Sequence, residues 1–249
     1  MDEGRWDTYA ERYHQEIVSP FFPGVKNPLL AELKNVEQSR EKKVAEFGCG
    51  HFEMGPLLAQ SFKEVYASDF STKMVEIAKT RHGHFPNVSI IKEDMSRLSH
   101  KNSFDLVISV NSLIMPSERM VRNALAGFYD ALKSGGDLFL IVPSMEGVLY
   151  HGLLLFEKEM SQKNESVAKR VSKIKFEKKK YDLFFGYYKD GRDVQKFYYH
   201  HEIQFLLRKA GFTNITIEKV LYPWGEDVSG YENFYGEEPM WDWFVKAKK

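Results

Sequence analysis

The chain has 249 residues and 29.0 kDa, with 35 basic against 35 acidic side chains, no formal net charge and a pI near 7.1. A dedicated nucleic-acid binder carries a basic excess, because neutralising phosphates supplies most of its affinity, and this chain has no excess overall. With 43% hydrophobic residues there is enough apolar surface for a real core, which sets disorder aside. A lone cysteine, Cys49, cannot form an internal disulfide, and the start MDEGRWDTY has neither the positive region nor the apolar run of a secretory signal, so a reducing, cytoplasmic setting is expected. The longest apolar runs, LFLIV at 138–142 and LLLF at 153–156, fall well short of the roughly 18 residues of a membrane helix, and no membrane partner is expected.

Two helical signals open the chain: Trp6, Tyr9, Ala10, Tyr13 and Ile17 recur at helical spacing, and Asn27-Pro28 starts a second segment through Leu29, Leu30, Leu33 and Val36. Residues 1–40 are therefore predicted to form a helical cap. From Lys43 the pattern becomes short apolar runs of strand length, at Lys43–Phe47, Glu64–Asp69, Val88–Lys92, Asp105–Val110 and Gly136–Val142. Helical stretches lie between them at Gly55–Ser61, Ser71–Arg81 and Ser117–Leu132. That alternation predicts an α/β, doubly wound parallel sheet whose buried strands read as nearly continuous apolar runs. After Pro143 it stops, and 145–199 becomes basic and aromatic; a segment that long needs structure of its own, so an inserted lid with helices is expected. The pattern resumes with a helix at His200–Ala210, a C-cap at Gly211, a strand at Phe212–Val220 and a last strand at Trp241–Ala247.

The segment VAEFGCGHFEMG at 44–55 carries the most chemistry. A strand ends at Glu46, the chain turns through Gly48-Cys49-Gly50, and glycines there let backbone approach a ligand at the carboxyl edge of a sheet. A dinucleotide fingerprint would need a third glycine at 53, where Glu53 would face a pyrophosphate. Glu46 instead suits a ligand that carries an ammonium group.

These residues resemble the first motif of the class I S-adenosylmethionine-dependent methyltransferases, an acidic residue followed by G-x-G, here AEFGCG at 45–50. The resemblance continues in order through SDFSTKMVEIAK at 68–79, IIKEDMSRL at 90–98, FDLVISVNSLI at 104–114 and LKSGGDLFLIV at 132–142, then through the tail from LLRKAGF at 206–212. It implies a seven-stranded Rossmann-like sheet with an insert after the fifth strand, so that 41–249 is the methyltransferase domain. It also implies S-adenosylmethionine as cofactor. Asp69, 19 residues after Gly50, takes the place of the acidic residue that accepts both ribose hydroxyls, close to the ~20-residue spacing of nucleotide-binding βαβ units. Asp94 matches the residue that meets the adenine amino group, with Met95 beside the ring. The cofactor-binding set implied is Tyr13, Glu46, Gly48, Cys49, Gly50, Asp69, Phe70, Met74, Asp94, Met95 and Asn111. Where relatives often carry a further glycine this chain has Phe52, placed to crowd or stack near the methionine end.

Read without the resemblance, Asp69 could be a helix N-cap and Asp94 or Asp105 a solvated turn residue. The acceptor is narrowed by elimination. Thiolate-dependent carbon methylation would need Cys49, which belongs to the cofactor loop. The [N/D]-P-P-[Y/F] element of base-amine methylation is absent from VNSLIMP at 110–116, and no acidic residue adjoins Asn111 in sequence to build a metal site. In-line transfer to the O or N of a small molecule remains, with no metal expected and no catalytic residue assigned. The histidines His14, His151, His200 and His201 read more simply as surface or packing residues than as bases. The basic run KRVSKIKFEKKK reads as a solvated helix face rather than a nucleic-acid surface. A silent cofactor-binding subunit, or an RNA or protein methyltransferase, is the alternative.

Overall fold

The computed structural model describes residues 3–10, 18–177, 180–191, 193–225 and 233–249. The chain opens with helix α1 (Glu3–Ala10), and α2 (Pro28–Lys34) follows, with Asn27 as N-cap accepting from the Leu29 amide and Pro28 in the first turn. Then come β1 (Lys43–Phe47), α3 (Gly55–Ser61), β2 (Glu64–Asp69), α4 (Thr72–His82), β3 (Val88–Lys92), β4 (Phe104–Val110), α5 (Glu118–Ala131) and β5 (Leu132–Pro143). The insert supplies α6 (Met145–Met160), α7 (Glu165–Lys175) and three short strands, β6 (Tyr181–Asp182), β7 (Tyr187–Asp190) and β8 (Asp193–Lys196). Helix α8 (His200–Ala210), β9 (Thr213–Tyr222) and β10 (Met240–Lys248) close the chain.

Seven strands form one sheet in the order β3-β2-β1-β4-β5-β10-β9, parallel from β3 to β5, with β10 antiparallel to both its neighbours. The strand period of two divides the core into two layers. Ala45, Phe47, Val107, Leu138, Leu140, Trp243 and Val245 face α5 and α8, which contribute Val121, Leu125, Phe128, Ile203 and Leu206. Val44, Leu106, Ile108, Phe139, Ile141 and Phe244 face α2, α3 and α4 through Leu29, Leu33, Leu58, Val75 and Ala78. Because β10 runs against the parallel strands, its first residues lie at their carboxyl ends: Asp242 pairs with Pro143. Both layers thus converge on one edge where ligand-binding groups can collect.

The insert has the expected helices, but its aromatic half is an antiparallel three-stranded sheet rather than a helix. Its aromatics divide three ways. Tyr198 is in the main core, with its hydroxyl donating to the Leu113 carbonyl (2.6 Å). Phe184 and Phe185 are exposed, whereas Tyr181, Tyr188 and Phe197 line a cavity. Among the described residues no helix is long and apolar enough to cross a membrane.

Candidate active site

The loop after β1 is held by two hydrogen bonds, from the Gly48 and Cys49 amides to the Ser68 carbonyl (2.7 and 2.9 Å). Gly48 has φ +74°, and a Cβ there would lie 2.4 Å from Met95 Cε and from Ser112 Cβ, so both backbone conformation and space demand glycine. Phe52 also adopts left-handed backbone, φ 58°, which is the physical reason a glycine suits this position. Its ring does not crowd the ligand edge: it is fully buried in the α2/α3 layer, edge-on to His82 at 5.7 Å.

Asp69 ends β2. Its Oδ2 accepts from the Gly50 amide (3.0 Å) and its Oδ1 from the Ser71 amide (2.9 Å). The N-cap of α4 is Ser71, whose hydroxyl accepts from the Met74 amide (3.1 Å), so Asp69 is not spent on capping. Burial lifts the Asp69 carboxyl to about 6, against the pull of amide hydrogen bonds from Ser71, Gly50 and Phe70. A cavity opens beside it, lined by Trp6, Gly48, Gly50, Asp69, Phe70, Met74, Met95, Asn111 and Ser112 among others. A second, adjoining cavity is lined by Glu46, Gly48, Cys49, Glu53, Asn111 and Val18.

Two buried acceptors in this adjoining cavity find no hydrogen-bond partner among the described residues: Glu46 Oε2 and Asn111 Oδ1. Burial pushes the Glu46 carboxyl well up, and the nearby carboxylates of Glu53 and Asp69 push it the same way. Asn111 is itself strained, at φ 46°. A cationic donor would relieve both side chains. The cradle fits an amino-acid ammonium beside a nucleoside: the unpartnered Glu46 Oε2 and Asn111 Oδ1 at one end, the Asp69 carboxyl at the other, and Gly48 between them.

Of the expected cofactor set, Glu46, Gly48, Cys49, Gly50, Asp69, Phe70, Met74, Met95 and Asn111 are brought together around the two cavities. Asp94 is not among their lining residues; its Oδ1 accepts from the Ser96 amide (2.9 Å) and hydroxyl (2.8 Å), capping the short turn Met95–Arg97. Tyr13 and His14 lie outside the described residues. Asp105 sits at the opposite end of the sheet, paired with Lys133 (2.8 Å) and accepting from the Lys43 amide (2.8 Å).

Trp6 lines the first cavity edge-on to Phe70 (6.5 Å), carried there by α1. The helix is docked by its acids: Asp7 accepts from the Ser71 hydroxyl (2.5 Å) and the Lys73 amide (3.2 Å), and Glu3 from the Thr72 hydroxyl (2.7 Å) and Lys92 (2.5 Å). Carboxylates at the first turn of α4 are favoured by its unpaired amides.

A third cavity of about 800 Å³ lies between the insert and the ends of β5, β9 and β10. Tyr181, Tyr188, Phe176 and Phe197 line it from the insert, with His151, Lys175 and Glu177; Tyr222 and Asp242 line it from the sheet. Lys175 is paired with Glu159 (2.7 Å). Asp242 is the acidic partner of Asn111 that local sequence does not reveal: its Oδ2 accepts from Asn111 Nδ2 (3.2 Å) and from the Tyr222 hydroxyl (2.6 Å). Of the described candidate histidines, His151 lines a cavity, while the rings of His200 and His201 pack on Trp243 and Tyr199.

Residues 44–136 match the family model described as a methyltransferase domain. A curated protein of Geobacillus sp. (strain WCH70), named as a methyltransferase, is 26% identical over 144 residues, covering 56% of this chain; the chain spans 58% of that relative's length. Two solved structures share the fold over 100% of both chains. One is a Thermotoga maritima S-adenosylmethionine-dependent methyltransferase, described as a possible histamine N-methyltransferase, at 20% identity and a TM-score of 0.58. The other is the magnesium protoporphyrin IX methyltransferase of Synechocystis PCC 6803 with bound S-adenosylhomocysteine, at 18% identity and a TM-score of 0.61.

Proposed function

We propose that this chain, whose residues 44–136 form a class I S-adenosylmethionine-dependent methyltransferase domain, methylates a small-molecule O or N acceptor by direct in-line displacement. The observation that carries the reading is a series of three cavities. The cleft at Asp69 shares Gly48 and Asn111 with the pocket at Glu46, and that pocket shares Val18 with the large cavity under the insert. A cofactor laid along the first two would pass Asn111, whose side chain donates to Asp242 in the wall of the third. At about 800 Å³ the third is within the range of small-molecule sites, and its walls are aromatic rather than basic.

When bound, the cofactor supplies an electrophilic sulfonium methyl. The chain's own part is placement: Asp69 receives the ribose hydroxyls, Phe70, Met74 and Met95 supply apolar contact, and Glu46 with Asn111 receives the ammonium. Cys49 stays a packing residue, because burial, with Asp69 and Glu46 beside it, pushes its thiol well above the ordinary value and away from a thiolate nucleophile. Chelator-treated protein given S-adenosylmethionine and a mixture of small amines, phenols and carboxylic acids should therefore release S-adenosylhomocysteine, and Cys49→Ser should keep that rate within about threefold. Release that required added RNA or protein instead would overturn the acceptor class.

Cofactor binding should also depend on pH in a definite direction. Ribose hydroxyls are received best by the ionised carboxylate, and the free carboxyl of Asp69 holds its proton up to about 6. Below that value binding must expel a proton, so affinity for S-adenosylhomocysteine should fall with falling pH, by roughly tenfold between pH 7.5 and pH 5. Calorimetry at the two pH values checks this, and a flat profile would remove Asp69 from the ribose contact.

A further inference from the structure

The acceptor cavity has a polar floor that the placement of the cofactor does not use. Asp242 lies there at the start of β10, on the same face of that strand as Phe244, between Trp241 and Trp243. Three groups donate to its carboxylate: the Tyr222 hydroxyl, the Asn111 amide and the Ser144 backbone amide. Asn111 also lines both cavities of the cofactor cleft, so Asp242 stands one side chain away from the pocket at Glu46. A carboxylate held at the meeting point of acceptor and cofactor space, with no lysine or arginine paired to it among the described residues, suits a charged guest.

On the reading of the large cavity as the acceptor site, we propose that Asp242 binds and deprotonates the acceptor, and that the acceptor is a small primary or secondary amine carried on a flat apolar body.

The surrounding walls agree with a cation. Tyr181, Phe197 and Tyr222 offer ring surface, which attracts an ammonium as well as an aromatic or alkyl body, while the Tyr188 ring already has the Lys180 ammonium 6.0 Å from its centre. Lys175, the cavity's own lysine, is held by Glu159, and Glu177 adds a further carboxylate to the lining. An anionic guest would have to displace the pair at Lys175 and face Asp242. Burial lifts the Asp242 carboxyl to about 6 while the bonds from Tyr222, Asn111 and Ser144 pull it down; it is ionised at neutral pH, yet closer in proton affinity to an amine than an exposed aspartate is.

The chemistry balances without a co-reactant. The ammonium gives one N–H proton to Asp242, and the freed nitrogen lone pair forms the bond to the methyl carbon. As the carbon–sulfur bond breaks, its electron pair stays on sulfur, turning the sulfonium into a neutral thioether and leaving the methylated amine as an ammonium. Asp242 then returns its proton to water when product leaves. Tyr222 and Asn111 act through Asp242 as positioning residues.

The test is binding to the full chain saturated with S-adenosylhomocysteine, using phenethylamine and its uncharged near-isostere phenethyl alcohol. The amine should bind at least about tenfold more tightly than the alcohol, and Asp242→Asn should erase that difference while leaving S-adenosylhomocysteine affinity within about threefold. With S-adenosylmethionine present, the same variant should lose at least about a hundredfold in kcat for N-methylation. Tyr222→Phe keeps the carboxylate and should reduce the discrimination only in part, which serves as the second variant if Asp242→Asn does not fold. Equal binding of amine and alcohol, no binding of the amine, or discrimination that survives both substitutions would overturn the proposal with the cofactor site intact. Failure of the wild-type chain to bind S-adenosylhomocysteine would instead sink the cofactor reading on which the proposal rests.

Discussion

Replacing Asp69 with alanine should weaken S-adenosylhomocysteine binding by about a hundredfold. The carboxylate serves two structures at once. Its oxygens hold the Gly50 and Ser71 amides, which fixes the loop after β1 against the start of α4, and they face the cleft where a ribose would donate. Each hydrogen bond to a charged group contributes about 1.5–3 kcal/mol, so losing the ligand contacts alone gives roughly 3 kcal/mol, equivalent to the hundredfold. Asp69→Asn isolates the charge, because it keeps one acceptor oxygen and nearly the same shape. Calorimetry on both variants separates the contributions: the asparagine variant should fall between wild type and alanine. Wild-type affinity in a folded alanine variant would take Asp69 out of the site.

The largest expected loss of stability belongs to Lys196, at the end of β8. Its side chain has no exposure. The ammonium donates to the Phe185 carbonyl (2.6 Å) and to Glu202 of α8 (2.6 Å), lies 3.6 Å from Glu118 of α5, and is 5.2 Å from the ring centres of Tyr187 and Tyr198. One cation thus ties the insert's small sheet to two helices of the main layer. Removing one partner of a buried pair costs about 3–5 kcal/mol; since Glu118 and Glu202 keep some access to water, we expect about 3 kcal/mol for Lys196→Met. For a chain of this size that is a fall of roughly 6–12 °C in Tm. Thermal unfolding checks the magnitude, and limited proteolysis should cut first within 181–196. A variant as stable as wild type would show that the pair only offsets its own desolvation.

Most of the framework is legible in the sequence because the strands are buried on both faces and separated by helices with recognisable ends. Lys43–Phe47, Glu64–Asp69 and Val88–Lys92 appear as read, and Asn27, Ser71, Ser117 and Gly211 cap where their side chains or backbone freedom allow. The Asp69 end of the candidate site is legible for the same reason: Gly48, Gly50 and Asp69 lie at strand ends and line one cavity. What escapes is whatever depends on partners distant in sequence. Asp94 is a local case instead: its Oδ1 caps the turn through Ser96, two residues on, and it is not among the residues that line the two cavities. The insert's strands are two to four residues long and rich in charge, too short for a period to show. Asp242 is hidden by its aromatic neighbours, although an acid in W-D-W, on the face that Phe244 buries, was the available signal. Its pairing with Asn111 spans 131 positions and appears only when β4 and β10 meet the same sheet edge.

The docking of α1 bears on how a cofactor would enter and leave the cleft. Trp6 and Asp69 both line the cleft, so with the helix seated a nucleoside there would lie beside that indole. Undocking of the eight-residue helix would remove that wall and should speed cofactor exchange. The clasp at Glu3, Thr72 and Lys92 is solvent-exposed, and ions in the surrounding medium weaken such contacts. Residence time of S-adenosylhomocysteine should consequently shorten as ionic strength rises, through contacts that lie far from where the methyl would be transferred.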